Sequence, residues 1–303
     1  MHLTGNISSI SRGSLHDGDG VRTVVYFKGC TLRCAWCHNP ENLSTRPDVM
    51  YAPNKCIACG NCINICPRNH KAGTDKMLFV REGCIGCGKC VEACPTRALS
   101  LCGKKMSTDE VFSEIKKDMH YYSESGGGVT LSGGECLMQP DFAAELLKHC
   151  KENNIHTAIE SAFCVPFENV KKVLGFVDLV FADLKHHDGE VHEKYTGRGN
   201  GLIIENIKRV SAIHDNVIIR IPLIPGVNDS EADIREFGKI INTFGDGVKG
   251  VELLKYNYLA ESKYEGLGME YKSFGTEKQT EEQMKLLSAV LGESIRQKVY
   301  YVE

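Results

Sequence analysis

Phe27-Lys28-Gly29-Cys30-Thr31-Leu32-Arg33-Cys34-Ala35-Trp36-Cys37-His38-Asn39-Pro40-Glu41 holds three cysteines spaced Cys-x3-Cys-x2-Cys, directly after an apolar segment, Val21 to Phe27, that reads as a short buried strand. The cysteines therefore sit in a loop at a strand's carboxyl end, the edge where α/β proteins place their ligands. Three thiolates are one fewer than a four-iron cluster needs. An iron without a protein ligand can bind a small molecule and pass it an electron, whereas a fully ligated cluster only carries electrons. The spacing alone also admits an ordinary cluster or a zinc site whose fourth ligand comes from elsewhere.

Cys56, Cys59, Cys62 and Cys66, followed by Pro67, form a Cys-x2-Cys-x2-Cys-x3-Cys-Pro run, and Cys84, Cys87, Cys90 and Cys94, followed by Pro95, repeat it. The doubled run resembles the bacterial two-cluster ferredoxins, in which the fourth cysteine of each run ligates the other cluster. The implied ligand sets are Cys56/Cys59/Cys62/Cys94 and Cys84/Cys87/Cys90/Cys66. Zinc is the alternative, and two matching runs with both prolines weigh against it. Ala58, Gly60, Gly86 and Gly88 between the cysteines let the backbone wrap a cubane and point amides at its sulfurs. Residues 51–102 thus read as a small ferredoxin-like Fe-S insert with two [4Fe-4S] clusters, set into a domain of residues 1–50 and 103–303. The core of the insert would be metal more than packed side chains.

These eleven cysteines leave four of the chain's fifteen. Cys150 shares a helical face with Phe142, Ala143, Leu146 and Leu147 and reads as core, Cys136 reads as structural, and Cys102 and Cys164 fall in no motif. Nothing at the amino terminus resembles a signal peptide, and thiolate clusters need a reducing compartment, so the expectation is a cytoplasmic protein that works without oxygen and has no disulfide framework. A formal net charge of −3 gives no footprint for nucleic acid or an anionic membrane, and no apolar run is long enough to span a bilayer.

Outside the insert, strands alternate with helices. Ser107 to Glu110 looks like a capping box opening a helix through about Tyr121. Strands follow at Gly128–Leu131, His156–Ser161, Leu179–Leu184, Val217–Ile224 and Val251–Tyr256, and helices at about Asp141–Asn153, Phe167–Leu174, Asn206–Ala212, Ser230–Thr243 and Glu281–Leu291. With Val21–Phe27 this makes six βα units, the signature of a parallel sheet.

The cysteine triplet with Trp36 before its last member resembles the signature of the radical S-adenosylmethionine enzymes. That resemblance implies an α/β fold, an open six-stranded (β/α)6 partial barrel, and chelation of the open iron by the amino and carboxylate groups of S-adenosylmethionine. Ser132-Gly133-Gly134-Glu135 ends a strand, where two glycines permit close approach to a ligand or a simple tight turn. Asp183-Leu184-Lys185 ends another, with opposite charges on one side of an extended chain. By resemblance Trp36, Gly133, Gly134, Glu135, Asp183 and Lys185 contact the cofactor. Glu160-Ser161 is a candidate monovalent-cation or cofactor contact, and a buried structural pair is the alternative.

His16-Asp17-Gly18-Asp19-Gly20-Val21-Arg22-Thr23, the run Ser125 to Glu135, and Ile219-Arg220-Ile221-Pro222-Leu223-Ile224-Pro225-Gly226 together look like the glycyl-radical-enzyme activating enzymes, over essentially the whole chain. The resemblance implies a protein substrate whose glycine loses an α-hydrogen to an adenosyl radical, with Asp17 and Arg220 binding the backbone of that glycine loop. It also implies three [4Fe-4S] clusters, a flavodoxin- or ferredoxin-type electron donor and a monomer. Two positions depart from the pattern. Asp19 replaces a proline, and Asn257 in Leu254-Lys255-Tyr256-Asn257 replaces a histidine, so that position hydrogen-bonds but does not titrate. His38 reads as a neighbour of the cluster, with a solvent-exposed loop histidine as the alternative. The competing readings are a radical enzyme acting on a small molecule or another peptide, and a ferredoxin-type electron-transfer protein.

Overall fold

The computed structural model of the chain describes residues 3–68, 71–72 and 77–302. Nine strands form one sheet: β1 (Thr4–Ser14), β2 (Arg22–Phe27), β3 (Lys104–Ser107), β4 (Gly128–Gly133), β5 (His156–Ser161), β6 (Leu179–Asp183), β7 (Val217–Pro222), β8 (Val248–Leu254) and β9 (Lys298–Val302). Val24, Val25 and Phe27 on β2 are fully buried, as the apolar run requires of a central parallel strand covered on both faces. The order is β9-β8-β7-β6-β5-β4-β2-β1-β3, parallel from β2 to β9, with β1 antiparallel on β2 and β3 antiparallel on β1. Because the end strands β9 and β3 do not pair with each other, the arrangement stays open.

The six expected strands are β2 and β4 to β8, and β1, β3 and β9 extend the sheet beyond them. Register shifts beside Ser9 and between Ser11 and Ser14 break the alternation of β1, so its period-2 signal is lost. β3 is four residues long with one buried apolar side chain, Met106. On β9, Val299 and Tyr301 pack on the core while Tyr300 is exposed, an alternation too short to stand out.

Helices α1 (Thr108–Lys116), α2 (Met119–Ser125), α3 (Pro140–Glu152), α4 (Phe167–Leu174), α5 (Gly189–Thr196), α6 (Gly201–Ile213), α7 (Glu231–Ile241), α8 (Glu261–Leu267) and α9 (Glu281–Gly292) complete the domain. Reciprocal capping boxes at Ser107/Glu110, Ser230/Asp233 and Thr280/Gln283 open α1, α7 and α9. The helix expected through Tyr121 instead breaks after Lys116. Asp118 there takes hydrogen bonds from Arg12 of β1 and from Thr23 of β2 at 2.7 Å, locking the break against the sheet. On α3, Phe142, Ala143, Leu146, Leu147 and Cys150 are buried on one face, and truncating Leu146 would cost about 2–5 kcal/mol.

The insert leaves and rejoins the domain through an antiparallel ribbon, Asp48–Tyr51 with Leu99–Cys102. Among the described residues its buried apolar cluster is Val49, Cys90 and Leu99, with Cys56, Cys62, Cys84 and Cys94 packed against it. Lys28, fully buried at the end of β2, donates to the Glu41 carbonyl at 2.5 Å and to Asp48 Oδ2 at 2.9 Å, fastening the ribbon to the cysteine loop.

Candidate active site

The carboxyl ends of β4 to β8 and the loop after β2 enclose a cleft of about 1050 Å3, including its mouth. Cys30, Cys34 and Cys37 form one wall, and no fourth cysteine among the described residues lines it. Burial pushes the thiols of Cys30 and Cys34 up to about 12 and that of Cys37 to about 11. Bare thiols there stay protonated, and a cationic metal centre is what would ionise them, so the donor set fits an iron cluster with one open position.

The wall facing the cysteines is polar. Lys185 donates to Asp183 at 2.8 Å, so the opposite charges two residues apart do meet on one side of the chain. Burial opposes the Lys185 ammonium, but Asp183 and the cysteines outweigh it and raise its pKa. Both charges face the cleft, together with Gly133, Gly134, Ser161 and Asn257, while Leu32, Leu223, Ile224 and Trp36 line it with apolar surface. An amino-acid zwitterion joined to an apolar ring system fits such a lining. Trp36 is braced by Tyr195 and Phe274 at ring-centroid distances of 5.9 and 5.8 Å. His38 donates through Nε2 to the Asn257 carbonyl at 2.6 Å, which joins the cysteine loop to the end of β8.

Comparison with known proteins decides the class. A radical SAM superfamily profile matches residues 84–238, and a 4Fe-4S dicluster domain matches residues 48–95. The chain is 42% identical over 275 residues to a (2S)-3-sulfopropanediol dehydratase activating enzyme of Klebsiella oxytoca, covering 88% of this chain and 87% of that one. It is 42% identical over 271 residues to a choline trimethylamine-lyase activating enzyme of Oleidesulfovibrio alaskensis, with 88% and 87% covered. Its fold matches a radical SAM methyltransferase from Sphaerobacter thermophilus at 13% identity, with a TM-score of 0.55 over 97% of this chain and 77% of that one. The chain belongs to the glycyl-radical-enzyme activating enzymes of the radical SAM superfamily. Such an enzyme cleaves S-adenosylmethionine reductively, and the 5′-deoxyadenosyl radical so made takes an α-hydrogen from a glycine of a partner enzyme.

In this activating enzyme three of the residues read from sequence stand behind the cleft rather than in its lining. Glu135 is fully buried and accepts from Leu137 N at 3.1 Å, Ser161 Oγ at 2.9 Å and Ala162 N at 3.1 Å, tying the end of β4 to the end of β5. Burial pushes its carboxyl up to about 7 despite these donors. The glycines before it approach the enzyme's own backbone. A Cβ on Gly133 would lie 2.2 Å from Phe27 N, and one on Gly134 2.2 Å from the Gly29 carbonyl. Both are glycines so that β4 can meet the root of the cysteine loop.

Arg220 is 4% exposed and its donors are committed internally: Nε to Glu252 at 2.8 Å, Nη1 to Glu160 at 2.9 Å and Nη2 to the His16 carbonyl at 3.0 Å, with the guanidinium 3.5 Å from the Phe181 ring centre. Asp17 accepts from Ser14, and its carbonyl accepts from Thr130 Oγ at 2.7 Å, which itself accepts from Arg22 Nε at 2.7 Å. Two buried arginines thus bracket the His16–Asp19 turn. Glu160 also accepts from Ser132 at 2.6 Å, so each of its oxygens has a protein donor. Neither Arg22 nor Ser132 was singled out by sequence, since an arginine on a strand and a serine before a glycine pair give no signal on their own.

The insert cysteines divide between two further cavities. One of about 340 Å3 is lined by Cys56, Cys59, Cys62 and Cys94, and one of about 360 Å3 by Cys66, Cys84, Cys87 and Cys90. Burial raises the Cys62 thiol first and Cys56, Cys59 and Cys94 add to it; burial raises Cys90 to about 11, with Cys66, Cys84 and Cys87 adding. Of the four other cysteines, Cys136 and Cys150 are fully buried in the core and Cys164 nearly so.

Proposed function

We propose that the chain carries three [4Fe-4S] clusters: a catalytic one on Cys30, Cys34 and Cys37 with its fourth iron open to S-adenosylmethionine, and two auxiliary ones in the insert of residues 51–102 on the crossed sets Cys56/Cys59/Cys62/Cys94 and Cys66/Cys84/Cys87/Cys90. The observation that carries this reading is the single cleft with three thiols on one wall and Asp183 and Lys185 on the other. In it Lys185 and Asp183 orient the methionyl carboxylate and amino group, and the backbone of Gly133 and Gly134 with Ser161 and Asn257 forms the polar floor. Trp36, Leu223 and Ile224 exclude water from the reacting centre. Glu135 and Arg220 act one layer back, fixing strand ends and the His16–Asp19 turn, and Asp17 on that turn meets the backbone of the partner's glycine loop. Glu160 and Ser161 are held by internal hydrogen bonds and also line the cleft, where they are the oxygen contacts offered to the cofactor or to a monovalent cation.

The partner is a glycyl radical enzyme recognised by its glycine loop. Activating enzymes of a dehydratase and of a lyase are equally similar to this chain, so recognition rests on the loop rather than on the partner's own reaction. The electron donor is a small flavodoxin- or ferredoxin-type protein that meets the insert where Cys59 and Cys87 are exposed beside exposed Ile57 and Ile85. The enzyme works as a cytoplasmic monomer, and no helix among the described residues is long and apolar enough to cross a membrane.

Anaerobic reconstitution tests this. The chain should bind about twelve irons, and replacing Cys30, Cys34 and Cys37 together by alanine should leave about eight and abolish cleavage of S-adenosylmethionine. Incubation with a candidate partner should yield an electron paramagnetic resonance doublet split by one α-hydrogen. Cleavage that survives the triple change sinks the catalytic assignment.

A further inference from the structure

Helix α8, between β8 and α9, makes contacts that the cleft lining does not use. Lys263 Nζ donates to the His38 carbonyl at 3.0 Å, to Asn39 Oδ1 at 2.8 Å and to Glu41 Oε1 at 2.7 Å. The hydroxyl of buried Tyr264 donates to the Cys37 carbonyl at 3.0 Å, and its ring packs on Tyr271 at 5.3 Å. All four acceptors belong to Cys37–Glu41, the segment that begins with the third thiol of the cleft. The other side of the same helix meets the insert. The Gly266 carbonyl accepts from the Arg81 guanidinium, which also donates to the Val49 carbonyl at 2.8 Å. A Cβ on Gly266 would stand 3.2 Å from the Met50 methyl and 3.5 Å from the Tyr51 carbonyl. Tyr51 in turn lines the cavity of Cys56, Cys59, Cys62 and Cys94.

We propose that Lys263 and Tyr264 are positioning residues that fix the loop of the third cluster cysteine, and that Arg81 and Gly266 tie this anchorage to the insert. The proposal rests on the reading that Cys30, Cys34 and Cys37 carry a cluster with an open iron. The placement of the Cys37 sulfur decides where that iron faces. Leu32 to Cys34 lean on the domain through backbone bonds such as Arg33 N to the Thr196 carbonyl at 2.7 Å, whereas the carbonyls of Cys37 and His38 are engaged by α8. A charge-assisted donor on one carbonyl and a buried hydroxyl on its neighbour fix the direction of that peptide segment. The residues of the insert that touch α8 are Met50 and Tyr51 of its root ribbon and Arg81, which also binds that ribbon at Val49, so the loop takes its place jointly from the domain and from the insert.

The test uses the full chain, reconstituted anaerobically, as wild type and as Tyr264→Phe, Lys263→Met, Lys263→Arg and Arg81→Met. The spectrum of the Cys30/Cys34/Cys37 alanine variant is subtracted from each to isolate the catalytic cluster. Wild type should hold about twelve irons and change its reduced-cluster resonance when S-adenosylmethionine is added; if it does not, the underlying reading fails before the proposal is reached. Tyr264→Phe and Lys263→Met should keep their iron, or lose only the four catalytic irons. Where the iron is kept, they should weaken the S-adenosylmethionine-dependent change and raise the titration midpoint about ten-fold. Lys263→Arg should restore it, and Arg81→Met should shift the same signal in the same direction. Unchanged spectra and midpoints in the first two variants overturn the proposal, as does equal loss of iron from all three clusters or a failure of Lys263→Arg to recover. An unchanged catalytic signal in Arg81→Met overturns the tie to the insert.

Discussion

In a chain whose Cys84, Cys87 and Cys90 are all alanine, a further Cys66→Ala change should cost no additional iron. The short helices Asn61–Ile65 and Lys89–Glu92 pack against each other, and each is followed by the last cysteine of its run. Four residues of helix rise about 6 Å, enough to bring that cysteine out one turn away from the third. Cys66 accordingly lines the cavity of Cys84, Cys87 and Cys90, while Cys94 lines that of Cys56, Cys59 and Cys62. With three clusters of four irons, the triple variant should retain about eight irons per chain, and the quadruple variant about eight again, because both lesions fall on one site. If each run kept its own fourth cysteine, the quadruple variant would damage both sites and fall to about four. The reciprocal set, Cys56, Cys59 and Cys62 with Cys94, should behave alike. Colorimetric iron and sulfide determination on anaerobically reconstituted protein reads the difference, and retained cleavage of S-adenosylmethionine verifies that the catalytic cluster is among those counted. A drop to about four irons on adding Cys66→Ala refutes the crossed sets.

Arg220→Met should destabilise the protein by about 3 kcal/mol in anaerobic urea unfolding, because Glu160 and Glu252 lose the cation between them. The deficit should shrink from about pH 7.5 to about pH 5, since Arg220 helps hold the Glu160 carboxyl below its usual range and a Glu160 freed of it binds a proton more readily in the folded state; a deficit that grows on acidification would contradict this. The Arg12 hydrogen bond holds the Asp118 carboxyl below its usual range. Asp118→Asn should therefore cost about 1.5–3 kcal/mol near neutrality, and the wild-type advantage should be lost as pH falls through that depressed value; equal stabilities at pH 7 would dismiss the tie. Gly134→Ala should displace the cysteine loop, since its Cβ would meet the Gly29 carbonyl at 2.2 Å, and S-adenosylmethionine cleavage should fall at least ten-fold in a variant that still unfolds cooperatively. Normal cleavage would mean that the approach of β4 to the loop is dispensable.

What the sequence makes legible follows from where its signals are local. Phe167–Leu174 is readable to the residue because Pro166 and Gly175 bound it and Val170, Val173 and Leu174 mark one buried face, and His156–Ser161 reads as a strand after the Asn153-Asn154 turn. β1 does not, because two register shifts scramble its alternation. At the site, the cleft-lining residues Cys30, Cys34, Cys37, Gly133, Gly134, Asp183 and Lys185 all lie in short motifs at strand ends. The internal hydrogen bonds of Glu135 and Arg220 were not legible for a physical reason: a charged side chain at a strand end faces either the ligand or the next layer, and sequence spacing does not distinguish the two. Here three donors claim the Glu135 carboxylate and two carboxylates with one carbonyl claim Arg220, so both face the next layer.

The point of insertion has consequences of its own. The insert interrupts the chain between the loop of the three cysteines, which ends β2, and the rest of the parallel sheet, which begins with β4. A chain excursion of some fifty residues there would ordinarily leave its root free to swing relative to the loop. Lys28 prevents this at the near end by placing its buried ammonium on both Glu41 and Asp48, and α8 prevents it at the far side by engaging Cys37–Glu41 while Gly266 packs against Met50 and Tyr51 of the ribbon. The first tie is local in sequence, within Lys28–Asp48, whereas the second comes from a helix more than two hundred residues later. The root of the insert is therefore held against the cysteine loop from both sides, by Lys28 and by α8, and the contacts that place the insert are the same ones that fix Cys37–Glu41.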